Sequence, residues 1–146
     1  MRILQLGRFY PPDLGGVESV MFEITEGLNQ RGIQCDVLCS NSSNSLEISH
    51  INTYKVIRTP SLATILSTSI SPAQISQLKK VIKDYDIIHV HHPDPMATVA
   101  LLTCNTDQKI VVHWHSDIIR QKFAFLFYRP LQNALLRRAS KVIVTS

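Results

Sequence analysis

Cysteine is scarce: three residues, an odd number with no CxxC pair, which fits a reduced, cytoplasmic setting and offers no disulfide framework. No stretch approaches eighteen consecutive apolar residues, and the apolar run at the N-terminus is too short for a signal peptide, so any membrane contact is expected to be peripheral. The nucleotide-binding strings GxGxxG and GxxxxGK[ST] are missing, as are HExxH and facial-triad spacings. There is no internal repeat and no low-complexity segment. Aromatic residues are few and interleave with basic ones only once, so no nucleic-acid partner is expected.

What is present is an ordinary globular composition, 45% hydrophobic with a net charge of +4, in a chain long enough for one core and one domain. The basic residues concentrate late, at Arg120, Lys122, Arg129, Arg137, Arg138 and Lys141. A solvated helix face is the simplest reading of that cluster, with an anionic lipid surface or a nucleic acid as the functional ones.

The first thirty residues organise the rest. Ile3, Leu4 and Leu6 form a short apolar run closed by Gly7 and predict a buried strand. Pro11 and Pro12 resist helix and make the following segment a stiff loop. After Gly15-Gly16, Val17, Val20, Met21, Ile24 and Leu28 recur at helical spacing until Gly32 stops them. A helix N-terminus behind two glycines exposes N–H groups and partial positive charge, which suits a phosphate or carboxylate. The competing reading is that both glycines only permit a sharp turn.

Further strands are predicted over 34–40, 51–59, 86–92, 109–114 and 141–145. Helices are predicted from Pro72, with Ser71 as N-cap, over 96–104, and over 118–139 with an interruption at Pro130. Asn41–Ser45 reads as a polar loop, and residues 62–66 stay unassigned between helix and loop. Cys35 and Cys39, four apart on a strand, share one face. Alternating strands and helices specify a Rossmann-like, doubly wound α/β fold, a mostly parallel sheet with helices on both faces. With strand order 3-2-1-4-5-6, ligands bind at the carboxyl ends where the order reverses, between strands one and four. Gly15-Gly16, then His91, His92 and Asp94, then His113, His115 and Asp117 all follow strands that end there.

Five of the six histidines lie in DIIHVHHPDP and VVHWHSD. His89 and His113, inside apolar runs, read as buried neutral imidazoles. The pairs His89/His91 and His113/His115 would each project on one face of neighbouring strands, so four nitrogens could meet around a metal. Apolar surroundings argue against such a centre, and no metal is expected.

The string of strand, PP-x-x-GG-V-E loop, helix and RG-x-x-x-V-L resembles the opening of family-four (group 1) retaining glycosyltransferases, which have the two-domain GT-B architecture. The resemblance spans residues 1–146. It implies an N-terminal, acceptor-side Rossmann-like domain, truncated here, of an enzyme that moves sugar from a UDP- or GDP-sugar to a glycan, lipid-linked or small-molecule acceptor in polysaccharide biosynthesis. The C-terminal donor-binding domain would lie outside the chain, so the fragment alone is expected to be inactive. The resemblance further implies that Gly15, Gly16 and Glu18 approach donor or acceptor, and that His115-Ser116 meets the donor sugar with His115 catalytic. It assigns Asp117 to the His115 tautomer, Arg120 to an anionic acceptor, and His91 and His92 to the acceptor side. It implies no metal and no cofactor, and a cytoplasmic enzyme, at the inner face of the membrane if peripheral. Phe125, Tyr128, Arg129 and Lys122 would then face lipid. The rivals are a non-catalytic nucleotide-binding or interaction module and a metal hydrolase built on the histidines.

Overall fold

The computed structural model describes residues 1–13, 15–65, 68–115 and 122–144, with side chains for all of these except 122–127. Strand β1 (Arg2–Leu6) leads through the proline-glycine loop to helix α1 (Gly16–Gln30) and strand β2 (Gln34–Ser40). An antiparallel hairpin follows, β3 (Glu47–Ile51) and β4 (Tyr54–Thr59), and then a separate small hairpin, β5 (Ala63–Ile65) and β6 (Thr68–Ile70). Helix α2 (Pro72–Val81) and a single 3-10 turn lead to β7 (Ile87–His92). Helix α3 (Pro95–Thr103), strand β8 (Lys109–Trp114), helix α4 (Lys122–Arg138) and strand β9 (Lys141–Val144) complete the described chain.

The main sheet runs β3-β4-β2-β1-β7-β8-β9 and is parallel except for β3 at its edge. The predicted doubly wound sheet and its point of reversal are therefore present, with β1 at the centre. Period-two alternation then divides the core. Leu4, Leu6, Leu38, Ile57, Ile88, Val90, Ile110 and Val112 face Leu78 of α2, Leu101 of α3 and Leu135 of α4. Each fully buried leucine or isoleucine here contributes about 1.5 to 3 kcal/mol. Val37, Cys39 and Val56 point the other way, onto Met21 of α1 and Tyr10.

Several expectations change. The single strand over 51–59 is a hairpin, because Asn52 adopts the left-handed region (φ 52°) that asparagine tolerates, and β3 folds back before it. The unassigned 62–66 segment contributes to the β5–β6 hairpin. Asn41, expected in an unpacked loop, is buried and donates to the Ser45 carbonyl at 3.0 Å. Ser71 precedes α2 but does not cap it; its hydroxyl donates to the Pro60 carbonyl at 2.8 Å. Pro130 lies within α4 without ending it. The deepest side chains of α1 are Glu18, Met21 and Thr25, with the aliphatic stripe only half-buried beside them.

Tyr128 does not face outward. It is buried, with its hydroxyl 2.8 Å from Thr98 Oγ1, which removes it from any lipid-facing set; Arg129 is exposed, and the side chains of Lys122 and Phe125 lie outside the described residues. Among the described residues no helix is long and apolar enough to cross a membrane.

At the amino ends of the strands, Asp36 of β2 is buried. It accepts hydrogen bonds from the Lys55 backbone N–H (2.8 Å) and the Tyr85 hydroxyl (2.9 Å), with Arg2 at 3.9 Å. One carboxylate thus ties β1, β2, β4 and the approach to β7 at the end of the sheet away from the histidines. Asp36→Ala strands those donors and is expected to destabilise the fold by roughly 2 to 4 kcal/mol in urea denaturation. A loss below about 0.5 kcal/mol would show that solvent replaces the carboxylate without penalty.

Candidate functional site at the carboxyl ends of β1, β7 and β8

The glycine loop is anchored before it reaches α1. Tyr10 is buried and its hydroxyl lies 2.9 Å from that of Tyr54, which donates to Glu26 Oε1 at 2.6 Å. Further on, the Arg58 guanidinium donates from Nη2 to the Pro11 carbonyl at 2.6 Å. These contacts hold an exposed proline segment against the sheet edge, so that it delivers Gly15 to the N-cap of α1.

The two glycines differ. A Cβ on Gly15 would lie 2.5 Å from Glu18 Oε2, so a side chain there would push the folded-back carboxylate aside. A Cβ on Gly16 would meet nothing within 4 Å, and its φ lies outside the left-handed region. Turn geometry therefore does not require glycine at 16, and open space remains in front of it. Glu18 is buried in the first turn of α1, where the helix dipole favours a carboxylate, and accepts from Arg8 Nη2 at 3.0 Å. Arg8, Phe9, Asp13, Gly15 and Glu18 line an open cavity of about 170 Å³.

On the α1 side of the sheet, β7 and β8 present a column of imidazoles. His113 stacks 4.2 Å from His115 and 5.4 Å from both His89 and His91, and His91 lies 5.1 Å from His115. The parallel register sets His91 beside His113, and Gln5 of β1 beside His89. His91 uses both ring nitrogens: Nδ1 is 2.8 Å from His115 Nε2, and Nε2 is 2.8 Å from Gln5 Oε1. The His115 backbone N–H donates to the His92 carbonyl at 3.0 Å, fixing its position just past β8.

Burial dominates the titration of the column. It lowers His89 to about 4, with His113 and His115 adding to it, and it holds His91 well below the ordinary imidazole value. His113 is lowered by burial, and His115 is lowered to about 4 by burial and by His113 against the opposing charge of Glu18. The segments that carry Glu18 and His115 follow β1 and β8 at the same edge of the sheet.

His91, His113 and His115 have ring nitrogens within 4.8 Å of one another, which is metal-ligand spacing. Both His91 nitrogens are already engaged, however, and a metal would have to displace the Gln5 or His115 contact. No carboxylate or thiolate joins this group among the described residues.

The structure joins His91 to His115 and sets Glu18 against Gly15, on segments that follow β7, β8 and β1 at one edge of the sheet. It separates His92, whose side chain points to the opposite sheet face, is buried, and stacks on Trp114 at 4.2 Å and Tyr128 at 5.8 Å. Asp94 is the N-cap of α3, with Oδ1 accepting from the backbone N–H groups of Met96 (3.0 Å) and Ala97 (3.1 Å). Ser116, Asp117 and Arg120 lie outside the described residues. Two residues of the site escaped sequence reasoning. Gln5 is the polar interruption in the otherwise apolar run ILQL, and Arg8 is the cation directly after Gly7 at the end of β1; both signals are visible in hindsight.

A protein-family model described as Glycosyltransferase Family 4 matches residues 14–146. The chain is 33% identical to the O-antigen chain mannosyltransferase C of Escherichia coli and 27% identical to the D-rhamnosyltransferase WbpZ of Pseudomonas aeruginosa. Each alignment covers all of this chain but only 40% and 39% of the relative, so the chain spans about two fifths of their length. Among solved structures, sucrose-phosphate synthase from Thermosynechococcus elongatus superposes with a TM-score of 0.68 at 16% identity, covering 100% of this chain and 43% of that one. Anabaena HepE in complex with UDP superposes with a TM-score of 0.61 at 19% identity, covering 97% of this chain and 37% of that one. These likenesses confirm the Rossmann-like fold.

The depressed histidines have a consequence for stability. Above about pH 6.5 the column is neutral in both folded and unfolded chains, and its contribution is intact. As pH falls toward 4 the unfolded chain takes up protons that the folded chain refuses, so stability is lost across that window. From 6.5 to about 4, His89 alone accounts for roughly 3 kcal/mol. Asp94 works in the opposite direction, because burial pushes its carboxyl up to about 6, but one carboxyl faces four imidazoles. The urea midpoint should therefore be lower at pH 4.5 than at pH 7, and His89→Leu should flatten the difference. Equal midpoints for the unaltered chain would mean that the histidines titrate as they do in water.

Proposed function

Since the chain belongs to glycosyltransferase family 4, we propose that it is the N-terminal, acceptor-side domain of a GT-B enzyme that transfers a sugar, with retention, from a UDP- or GDP-sugar to a glycan or lipid-linked acceptor. What supports this reading is that the segments carrying the open Gly16 position and His115 follow β1 and β8 at the edge of the sheet where strand order reverses. The mannosyl- and rhamnosyltransferase relatives support a role in polysaccharide assembly, and the UDP bound by HepE supports a nucleotide-sugar donor. The proposed setting is cytoplasmic, at the inner face of the membrane where a lipid-linked acceptor is used.

In this reading His115 hydrogen-bonds the donor sugar as the glycosidic bond breaks with oxocarbenium character. Its depressed pKa serves that role, because an imidazolium beside a developing carbocation would repel it, whereas a neutral ring offers a dipole. His91 supports the ring from behind, and Ser116, Asp117 and Arg120 are proposed as donor- and acceptor-binding neighbours. No residue is assigned as a general base, and neither a metal nor a cofactor is invoked.

In the full-length protein, His115→Ala should lower kcat by roughly 10² to 10³ while the melting temperature moves little. Gly16→Trp should abolish transfer in a protein with an unchanged circular dichroism spectrum, whereas Gly16→Ala, whose methyl meets open space, should stay active. Normal turnover in both the tryptophan and histidine variants would leave this edge of the sheet without a catalytic role.

The described wall of the site is poorly charged for a diphosphate. Arg8 is paired with Glu18, and Asp13 lies beside them. The charges that neutralise the donor are proposed to come from a second domain, whose closure would also exclude water. Calorimetric titration of this 146-residue chain with UDP- and GDP-sugars should accordingly give dissociation constants of about a millimolar or weaker, with no product in a radiolabel assay. Micromolar binding or turnover would make the chain a complete unit.

A further inference from the structure

Gln5 is the one polar side chain turned into the centre of the sheet from β1, and it is fully buried. Its Nε2 lies 3.5 Å from Cys35 Sγ, a weak acceptor, which turns Oε1 toward His91. An amide oxygen has no proton to give, so His91 Nε2 must carry the hydrogen of that 2.8 Å contact. His91 is then a lone-pair acceptor at Nδ1, and the hydrogen of the second 2.8 Å contact must belong to His115 Nε2. Orientation passes from β1 through β7 to the end of β8, across the strands that flank the reversal of order.

We propose that Gln5 is a positioning residue that selects, through His91, the Nε2–H tautomer of His115. An imidazole in that state accepts a proton donor at Nδ1 and has no hydrogen there to offer a phosphate oxygen. A group that meets Nδ1 in that state must donate a hydrogen, as a hydroxyl can. The catalytic consequence rests on the role given to His115 above, but the tautomer itself does not. The groups facing this relay are His89 and His113 on β7 and β8, Glu18 on α1 and Cys35 on β2. Burial keeps the imidazoles neutral, so near pH 7 it is the tautomer that is set.

The test uses the full-length protein, labelled with nitrogen-15 at histidine, in which long-range proton–nitrogen spectra distinguish the two tautomers. The unaltered protein should show His115 with its hydrogen on Nε2. Gln5→Met keeps an unbranched side chain of similar length and removes the carboxamide oxygen. It should give a mixture of His115 tautomers and lower kcat roughly 10-fold, with the donor KM within about twofold, as is typical for partners that orient a functional histidine. Gln5→Glu restores an oxygen acceptor. It should return a single Nε2–H tautomer and recover kcat to within about threefold above neutral pH, and the added carboxylate should move the acid limb of the kcat profile to higher pH. If Gln5→Met does not fold, the spectrum of Gln5→Glu decides alone. The proposal is overturned if Gln5→Met keeps one His115 tautomer. It is equally overturned if the unaltered protein carries the hydrogen on Nδ1 and Gln5→Glu inverts it, since the carboxamide would then present its nitrogen to His91. If His115→Ala retains full activity while the tautomers respond as stated, the relay stands and the catalytic reading of His115 falls.

Discussion

The parallel pairing of β1 with both β2 and β7 is the constraint from which the rest follows. It places Leu4 and Leu6 on the side of α2, α3 and α4, and Gln5 on the side of α1. A slip of one residue would exchange these faces, burying the Gln5 carboxamide among leucines and turning two leucines toward the histidines. Because one face is saturated aliphatic core, that slip is prohibitive, so hydrophobic packing on one side dictates polar geometry on the other. β1 and its neighbour β7 also end at the candidate site, which couples the most buried part of the domain to the edge that carries the glycine loop and the histidines.

Burying His89, His91 and His113 together, beside the half-buried His115, has an energetic cost that the fold offsets in part, although His89 Nε2 and both His113 ring nitrogens have no hydrogen-bond partner among the described residues. Stacked rings at 4.2 to 5.4 Å share contact area while remaining neutral. The two polar contacts of His91 then satisfy the ring that is most deeply enclosed. A column arranged for metal binding would leave lone pairs converging on a common point. Here the His91 nitrogens point to a carboxamide and to another imidazole, an arrangement that orders hydrogens.

Much of this was legible in the sequence where period and punctuation coincide. Ile3, Leu4 and Leu6 before Gly7, the helical spacing after Gly16 and the stop at Gly32, whose φ is +76°, all act locally. Asn52 was harder, because nothing in INTY separates a continuous strand from a left-handed turn until β3 is seen to pair with β4. Ser71 has the residue type and place of an N-cap, yet Thr59 and the Pro60 carbonyl compete successfully for its hydroxyl. At the candidate site, residue types at strand ends point to Gly16 and His115, while His91 and His92, adjacent in sequence, separate because alternation sends them to opposite faces. Gln5 was invisible for a different reason. Its meaning lies in partners 30, 84 and 86 residues away, at Cys35, His89 and His91.

The glycine loop shows how little of a helix N-terminus remains for a ligand once the protein has used it. Glu18 folds back into the first turn of α1 and answers the dipole from within, and Arg8 answers Glu18. What is left at Gly16 is space rather than charge. Among the described residues, Arg8 is the cation beside the loop and it is already paired with Glu18, so the room in front of Gly16 is not matched by positive charge. Among the described residues it is therefore electrostatics rather than shape that limits what this end of α1 can hold.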